Sequence, residues 1–221
     1  MIKRTIYISI ILLSMMVIIK ADMNPNQIYK QALNYTVELK CSKSNSDTVY
    51  ATAVLIDLKG YYVTNAHVVT QSINGNNYDF EIFEIRYYYE KEYQRVTLEK
   101  YDTKTDLAIL KGLPQKKSFK VNLEYQTADR VYAIGNLNET GIAITSGIIS
   151  NKEVIIKSKN TIFKVIQTDL TISYGNSGGA LVNSKGQLIG IISFRNKDNK
   201  GNVIYGLAYC IPINDVMIYL E

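Results

Sequence analysis

Apolar positions in this chain come in short runs broken by Gly, Asn, Asp and Lys. Residues 49–56 form one such run. Asp57-Leu58-Lys59-Gly60 turns the chain and residues 61–65 bring it back, so the segment reads as a β-hairpin with glycine in its turn. Residues 80–89 alternate instead. Phe80, Ile82 and Ile85 sit among charges ahead of Tyr87-Tyr88-Tyr89, the period of a strand with one buried face. The tyrosines could form a ligand-stacking surface, but the strand propensity of aromatic residues favours a half-buried strand. Further strands are predicted over residues 107–111, 130–134, 145–150, 153–157, 162–167, 180–182, 188–194 and 203–211. Only residues 28–33 and 213–220 look helical. Residues 111–123 hold Gly112, Pro114 and four lysines and read as a linker. Many short strands with turn signals predict an all-β fold, a sandwich or barrels.

The amino terminus has a different pattern. Lys3 and Arg4 precede a run of 14 residues, 6–19, interrupted only by Ser9 and Ser14. That is shorter than the ~18–20 residues of a membrane span. Ala21 supplies a small residue for cleavage, although Ile19 is less usual at the third position back. Residues 1–21 are therefore expected to be an export signal cleaved after Ala21, with a retained signal anchor as the alternative. Localisation would then be secreted, periplasmic or at the cell surface.

Composition narrows the classes. The 221 residues are 47% hydrophobic, enough for a core, and fit one all-β domain or two small barrels sharing an interface. The net charge of +5 overstates the body of the chain. Lys3, Arg4 and Lys20 lie in the leader, leaving 22 basic and 20 acidic residues, which gives no case for nucleic acid. Two cysteines and one histidine cannot make the usual four-ligand zinc site, and no cofactor is expected. The 18 tyrosines, with frequent Ile, Lys and Asn, reflect an AT-rich coding sequence as readily as any function.

The candidate chemistry lies in Ser173-Tyr174-Gly175-Asn176-Ser177-Gly178-Gly179-Ala180-Leu181-Val182. Glycines on both sides of one serine allow a tight turn. Such a turn exposes the hydroxyl and gathers backbone N–H groups around it, which is what acyl transfer needs. The same residues would also make an ordinary hairpin turn. His67, the one histidine of the chain, follows a strand-like run in Thr64-Asn65-Ala66-His67-Val68-Val69. Asp106 opens another in Asp106-Leu107-Ala108-Ile109-Leu110-Lys111. The order His-Asp-Ser, with gaps of 39 and 71 residues, is that of the chymotrypsin-like double barrel.

These blocks resemble the three catalytic blocks of the HtrA/Deg family of trypsin-like serine proteases. Ala133-Ile134-Gly135-Asn136, Thr145-Ser146-Gly147-Ile148-Ile149-Ser150, Gln167-Thr168-Asp169 and Ala208-Tyr209-Cys210-Ile211-Pro212-Ile213 agree in place. The resemblance covers residues 28–221. It implies two six-stranded antiparallel β-barrels with the active site between them: residues 22–115 carrying His67 and Asp106, and 116–221 carrying Ser177. It implies a serine endopeptidase acting on protein or peptide substrates, with a membrane partner only if the leader is retained. It places Cys41 and Cys210 on strands of different barrels. A disulfide needs Cα atoms within ~7 Å, so two buried free thiols are expected.

The resemblance also assigns roles. Ser177 would be the nucleophile, His67 its base and Asp106 the carboxylate that orients the imidazole. Asp102 is a rival by position, but the family pattern selects the aspartate directly before Leu-Ala-Ile-Leu. The N–H groups of Gly175 and Ser177 would form the oxyanion hole. Asn176 stands where digestive relatives have an aspartate that pairs with a newly cut amino terminus, so no activating cut is expected. The primary pocket would have Thr171 at its base and Ile192, Ser193, Arg195 and Ala208 as walls. A neutral base argues against Lys or Arg preference, and the lack of a second histidine argues against the glutamyl endopeptidases. Apolar or small side chains are the remaining expectation, with Arg195 able to narrow the cleft or bind acidic side chains. No PDZ domain is expected after the short closing helix. An inactive protease-like binding module and an esterase remain as alternatives; the absence of Gly-x-Ser-x-Gly disfavours an α/β-hydrolase route to the esterase.

Overall fold

Fourteen strands and three short helices make up the computed structural model, which describes residues 22–43, 48–73, 76–137, 140–158, 161–197 and 203–221. The leader lies outside the described residues. Helix α1 spans Pro25–Ala32, with Asn24 as N-cap, proline in its first turn, and a capping box closed by Gln27. Strands β1 (Thr36–Ser42), β2 (Thr48–Leu55), β3 (Tyr61–Thr64), β6 (Ile82–Arg86), β7 (Gln94–Asp102) and β8 (Leu107–Lys111) close into one antiparallel barrel in the order β1-β2-β3-β8-β7-β6. Strands β9 (Arg130–Asn136), β10 (Ile142–Ser158), β11 (Thr161–Thr168), β12 (Ala180–Asn183), β13 (Leu188–Lys197) and β14 (Val203–Pro212) close into a second, in the order β10-β11-β14-β13-β12-β9. A single helical turn, α2 (Ala66–Val69), follows β3, and β4 (Thr70–Ile73) pairs with β5 (Asn76–Asp79) outside both barrels. Helix α3 (Ile213–Leu220) ends the chain.

Three cores hold this together. The interior of the first barrel contains Leu39, Ala53, Tyr62, Phe83, Ala108 and Leu110. That of the second contains Val131, Ala133, Ile149, Leu181, Ile189 and Ile192. The third lies between the barrels, where Val54, Val63, Leu107 and Ile109 meet Tyr132, Ile134, Val182 and Ile191, closed by α1 and α3. Successive residues of a strand point to opposite faces. Along β8, Leu107 and Ile109 therefore enter the shared core while Ala108 and Leu110 enter their own barrel. Strands β9 and β12 divide their side chains the same way. A strand buried on both faces reads as an unbroken apolar run, which is why these segments stand out in the sequence.

The structure departs from the predicted elements in several places; α2, β4 and β5 had no predicted counterpart. β10 is one strand of 17 residues where two were expected; register shifts against β11 between Ile149 and Val154 absorb the polar Asn151-Lys152-Glu153 stretch as a bulged region. β6 ends at Arg86, so the tyrosine run is not strand. Tyr87 instead turns into the first barrel, 3% exposed, and its hydroxyl meets that of Tyr62 at 2.7 Å, while Tyr88 and Tyr89 are exposed. β7 has no counterpart in the prediction, because most of its residues face solvent.

Cys41 on β1 and Cys210 on β14 are both free and fully buried. Burial pushes the Cys41 thiol well above its ordinary range and that of Cys210 up to about 12. The thiolate is the reactive form. At pH 8 a thiol-specific disulfide reagent is therefore expected to label neither cysteine in the folded chain and both after unfolding in guanidinium. Rapid labelling of either thiol in the native chain would contradict the packing.

Candidate active site

Asp106 is the hub of the site. It leaves the loop after β7 with φ of 55°, a left-handed conformation that aspartate tolerates better than most residues. Asn65 Nδ2 holds the conformation by donating to the Asp106 carbonyl at 3.0 Å. The carboxylate is then surrounded by donors. Oδ1 accepts from the His67 main-chain N–H at 3.0 Å and lies 2.9 Å from His67 Nδ1, with Oδ2 at 3.0 Å from the same nitrogen. Oδ2 also accepts from Ser193 Oγ at 2.6 Å. Asp102 is occupied elsewhere: its carboxylate accepts from Lys104 N and Thr105 Oγ1 and closes its own loop.

His67 is carried on α2, directly after β3. Its side chain is about half exposed (47%). With Nδ1 donating to the carboxylate, the neutral ring keeps its lone pair on Nε2. Asp106 and His67 both belong to the first barrel.

Ser177 comes from the second. It follows a four-residue turn in which Asn176 N donates to Ser173 O at 3.2 Å, with Gly175 in third place at φ 85°. A positive φ there is the requirement of a type II turn, and it sets which way the Gly175 N–H points. Ser177 Oγ donates to the Ser193 carbonyl at 3.0 Å. Ser193 thus touches both halves of the site, with its hydroxyl on Asp106 and its carbonyl on Ser177. The pairing of β13 with β14 shifts register between Ile192 and Phe194, so Ser193 sits in a bulge. A bulge re-aims a side chain relative to its neighbours, and here it directs Ser193 out of the alternation toward Asp106.

The serine loop is fixed from across the interface by Thr52 of β2. Thr52 Oγ1 donates to Gly175 O at 2.7 Å and accepts from Asn136 N at 2.8 Å. Its main-chain N–H donates to Ser177 O at 3.0 Å, and its carbonyl accepts from Thr64 Oγ1 at 2.8 Å. Gly178, at φ 82°, lies against the same residue; a Cβ there would come within 2.1 Å of Thr52 O and 2.2 Å of Thr64 Oγ1. Thr52 was not visible as a site residue. In Ala51-Thr52-Ala53 it reads as a small polar position of a strand, and its partners in the second barrel are more than 80 residues away.

The residues expected around the primary pocket differ in exposure. Thr171 is exposed and its carbonyl accepts from Thr145 Oγ1 at 3.0 Å. Ile192 and Ala208 are 0% and 1% exposed and belong to the interior of the second barrel, where Ile192 packs under the serine loop at Gly179. Ser193, expected as a pocket wall, is directed at Asp106. The backbone of Arg195 lies opposite Ala208 in the β13–β14 ladder; its side chain lies outside the described residues. A cavity of about 500 Å³ adjoins Asp106 and Ser193 and is walled by Val165, Phe194, Ile211 and Tyr219. No group of three or more potential metal ligands occurs among the described residues.

Comparison with known proteins settles the kinship of this arrangement. The model of the trypsin-like peptidase domain matches residues 51–191. The chain belongs to the trypsin-like peptidases, within the HtrA/Deg group. It is 38% identical over 170 residues to serine endoprotease DegS of Salmonella typhimurium, covering 72% of this chain and 44% of that protein. It is 36% identical over 168 residues to a Buchnera aphidicola protein named "Probable periplasmic serine endoprotease DegP-like", covering 74% of this chain and 34% of the relative. The solved structure of the HtrA-type protease AlgW with a tripeptide superposes with a TM-score of 0.74 at 26% identity, over 88% of this chain and 62% of that one. The chain thus spans less than half the length of the curated relatives it matches.

Thr52→Val keeps the side-chain shape and deletes the hydroxyl, leaving Gly175 O and Asn136 N unpaired in a buried place. Stability is expected to fall by about 1–3 kcal/mol in urea titrations. Thr52→Ser, which keeps the hydroxyl, should cost distinctly less. Equal losses in the two variants would show that the methyl group, not the hydrogen bonds, matters.

Proposed function

We propose that the chain is an exported serine endopeptidase that cleaves peptide bonds through an acyl-enzyme. The observation that supports it most is the geometry around Asp106, whose carboxylate lies against His67 Nδ1 and so leaves Nε2 as the ring nitrogen that can take a proton. Ser177 Oγ rests against the Ser193 carbonyl. In this reading the hydroxyl leaves that carbonyl and turns to His67 when substrate binds. As Oγ attacks the scissile carbonyl, its proton passes to Nε2, and the imidazolium is stabilised by Asp106. The oxyanion is received by the N–H groups of Gly175 and Ser177, each worth ~3–4 kcal/mol of barrier. His67 then protonates the leaving amine, which departs. Water enters, loses a proton to His67 and releases the acid from Ser177.

Export follows from the charged and apolar leader over residues 1–21. It agrees with the periplasmic placement named for the Buchnera relative. Substrates are proteins or peptides, in keeping with the tripeptide bound to AlgW. Ser177→Ala and His67→Ala are each expected to reduce casein hydrolysis by at least about a thousandfold with unchanged circular dichroism, since the two residues act as one unit. Wild-type chain should react with a fluorophosphonate probe at Ser177. Absence of labelling in folded protein would favour a binding module, and turnover of simple esters without casein cleavage would favour an esterase.

Specificity rests on the resemblance that puts Thr171 at the base of the primary pocket. A neutral pocket base cannot pair with a buried Lys or Arg, and an unpaired charge is heavily penalised. Peptides with Val, Ala or Leu before the scissile bond should be cut at least about tenfold faster than Lys or Arg equivalents, or about 1.4 kcal/mol of transition-state discrimination. Specificity constants for Val, Glu and Lys peptides decide the matter. A Lys preference would remove Thr171 from the pocket. A Glu preference lost in Arg195→Gly would assign the choice to Arg195.

A further inference from the structure

A depression of about 860 Å³ lies away from the triad, where α1, residues 117–120 and the β12–β13 turn meet. Four lysines line it: Lys30, Lys117, Lys120 and Lys185. All four are exposed, and no acidic side chain is among the lining residues. Among the described residues none of the four forms an ion pair. Asp22 stands nearby and accepts from Ser184 Oγ at 2.6 Å. The body of the chain is otherwise close to charge balance, so this concentration of one sign is local.

The floor is rigid. Phe119 is 4% exposed and lies 5.0 Å from the Tyr35 ring. Gln31 Nε2 donates to Gly186 O, and Met23 N donates to Ser184 O, which tie α1 and the incoming chain to the β12–β13 turn. At the rim Leu58 is 55% exposed. The surface therefore combines fixed positive charge with a protruding apolar side chain.

Met23 itself lines the depression. Four residues upstream ends the apolar run 6–19, with Lys20 between. Four residues span at most about 14 Å. When that run is seated in a bilayer, Met23, which lines the same depression as the lysines, is held within one or two Debye lengths of its surface, about 8–10 Å each. A cluster of ammonium groups around a depression tethered so close to the bilayer is drawn to anionic headgroups.

We propose that this lysine-lined face docks the leader-bearing chain on anionic lipid headgroups, so that the membrane is a second contact of the folded body and not only of the leader. The inference is independent of the peptidase reading, since no residue of the face belongs to the triad, and it rests on the alternative in which residues 1–21 are retained as a signal anchor. The full chain is reconstituted into phosphatidylcholine vesicles with and without phosphatidylglycerol, and lysine acetylation rates are read site by site by mass spectrometry. Lys30, Lys117, Lys120 and Lys185 are expected to label about fivefold or more slowly with phosphatidylglycerol, with the protection lost in ~0.5 M salt. Lys91 and Lys152, outside the depression, should label alike in both. Equal rates at the four lysines in the two vesicle types would overturn the proposal. Equal protection by soluble glycerol phosphate without vesicles would also overturn it, because the face would then be a small-anion site.

Discussion

The joint between the two barrels is the constraint on which the rest depends. His67 and Asp106 are carried by the first barrel, Ser177 and Ser193 by the second, and no covalent crosslink joins the barrels among the described residues. What sets their relative position is a shared apolar core, with Val54, Val63, Leu107 and Ile109 packed against Tyr132, Ile134, Val182 and Ile191. Close-packed interiors tolerate little displacement, so burial at the joint fixes the placement of the site. The hydrogen bonds of Thr52 and Ser193 then act at short range. Each touches groups from both barrels, and each is satisfied only when the two are in register.

The strands of that joint were the easiest to read from sequence, for a physical reason. A segment buried on both faces must be apolar at every position, and residues 107–111, 130–134 and 180–182 are nearly so. β7 escaped because its place is fixed by main-chain pairing to β6 and β8, which leaves its side chains free to be polar. β10 was divided because Asn151-Lys152-Glu153 looks like a turn; pairing to β11 carries the strand through it with irregular register. Tyr87 was read with its neighbours as strand, since composition cannot reveal that one hydroxyl of three would find a buried partner in Tyr62.

The site was legible to the extent that local sequence sets local shape. Glycines around Ser177 and the order of His67, Asp106 and Ser177 are visible along the chain. The supports are not. Ser193 was named as a pocket wall, and its hydrogen bond to Asp106 was not foreseen, because the bulge that turns it toward Asp106 arises from pairing between β13 and β14. Thr52 carried no signal at all. Its role comes from four hydrogen bonds to partners that only folding brings near.

Asn176 shows what this support replaces. It is 3% exposed, and its Oδ1 has no hydrogen-bond partner among the described residues. An aspartate in that place would need a cation, since a buried unpaired carboxylate is far more costly than a buried unpaired amide oxygen. The amide thus frees the loop from dependence on an ion pair. Its shape rests instead on the type II turn at Gly175, on the Thr52 hydroxyl that grips the Gly175 carbonyl, and on Gly178, where any side chain would strike Thr52 and Thr64. All but the turn are contacts to the first barrel. The conformation of the serine loop is therefore tied to how the barrels fit, and a change that alters the joint reaches Ser177 through Thr52 without touching the triad.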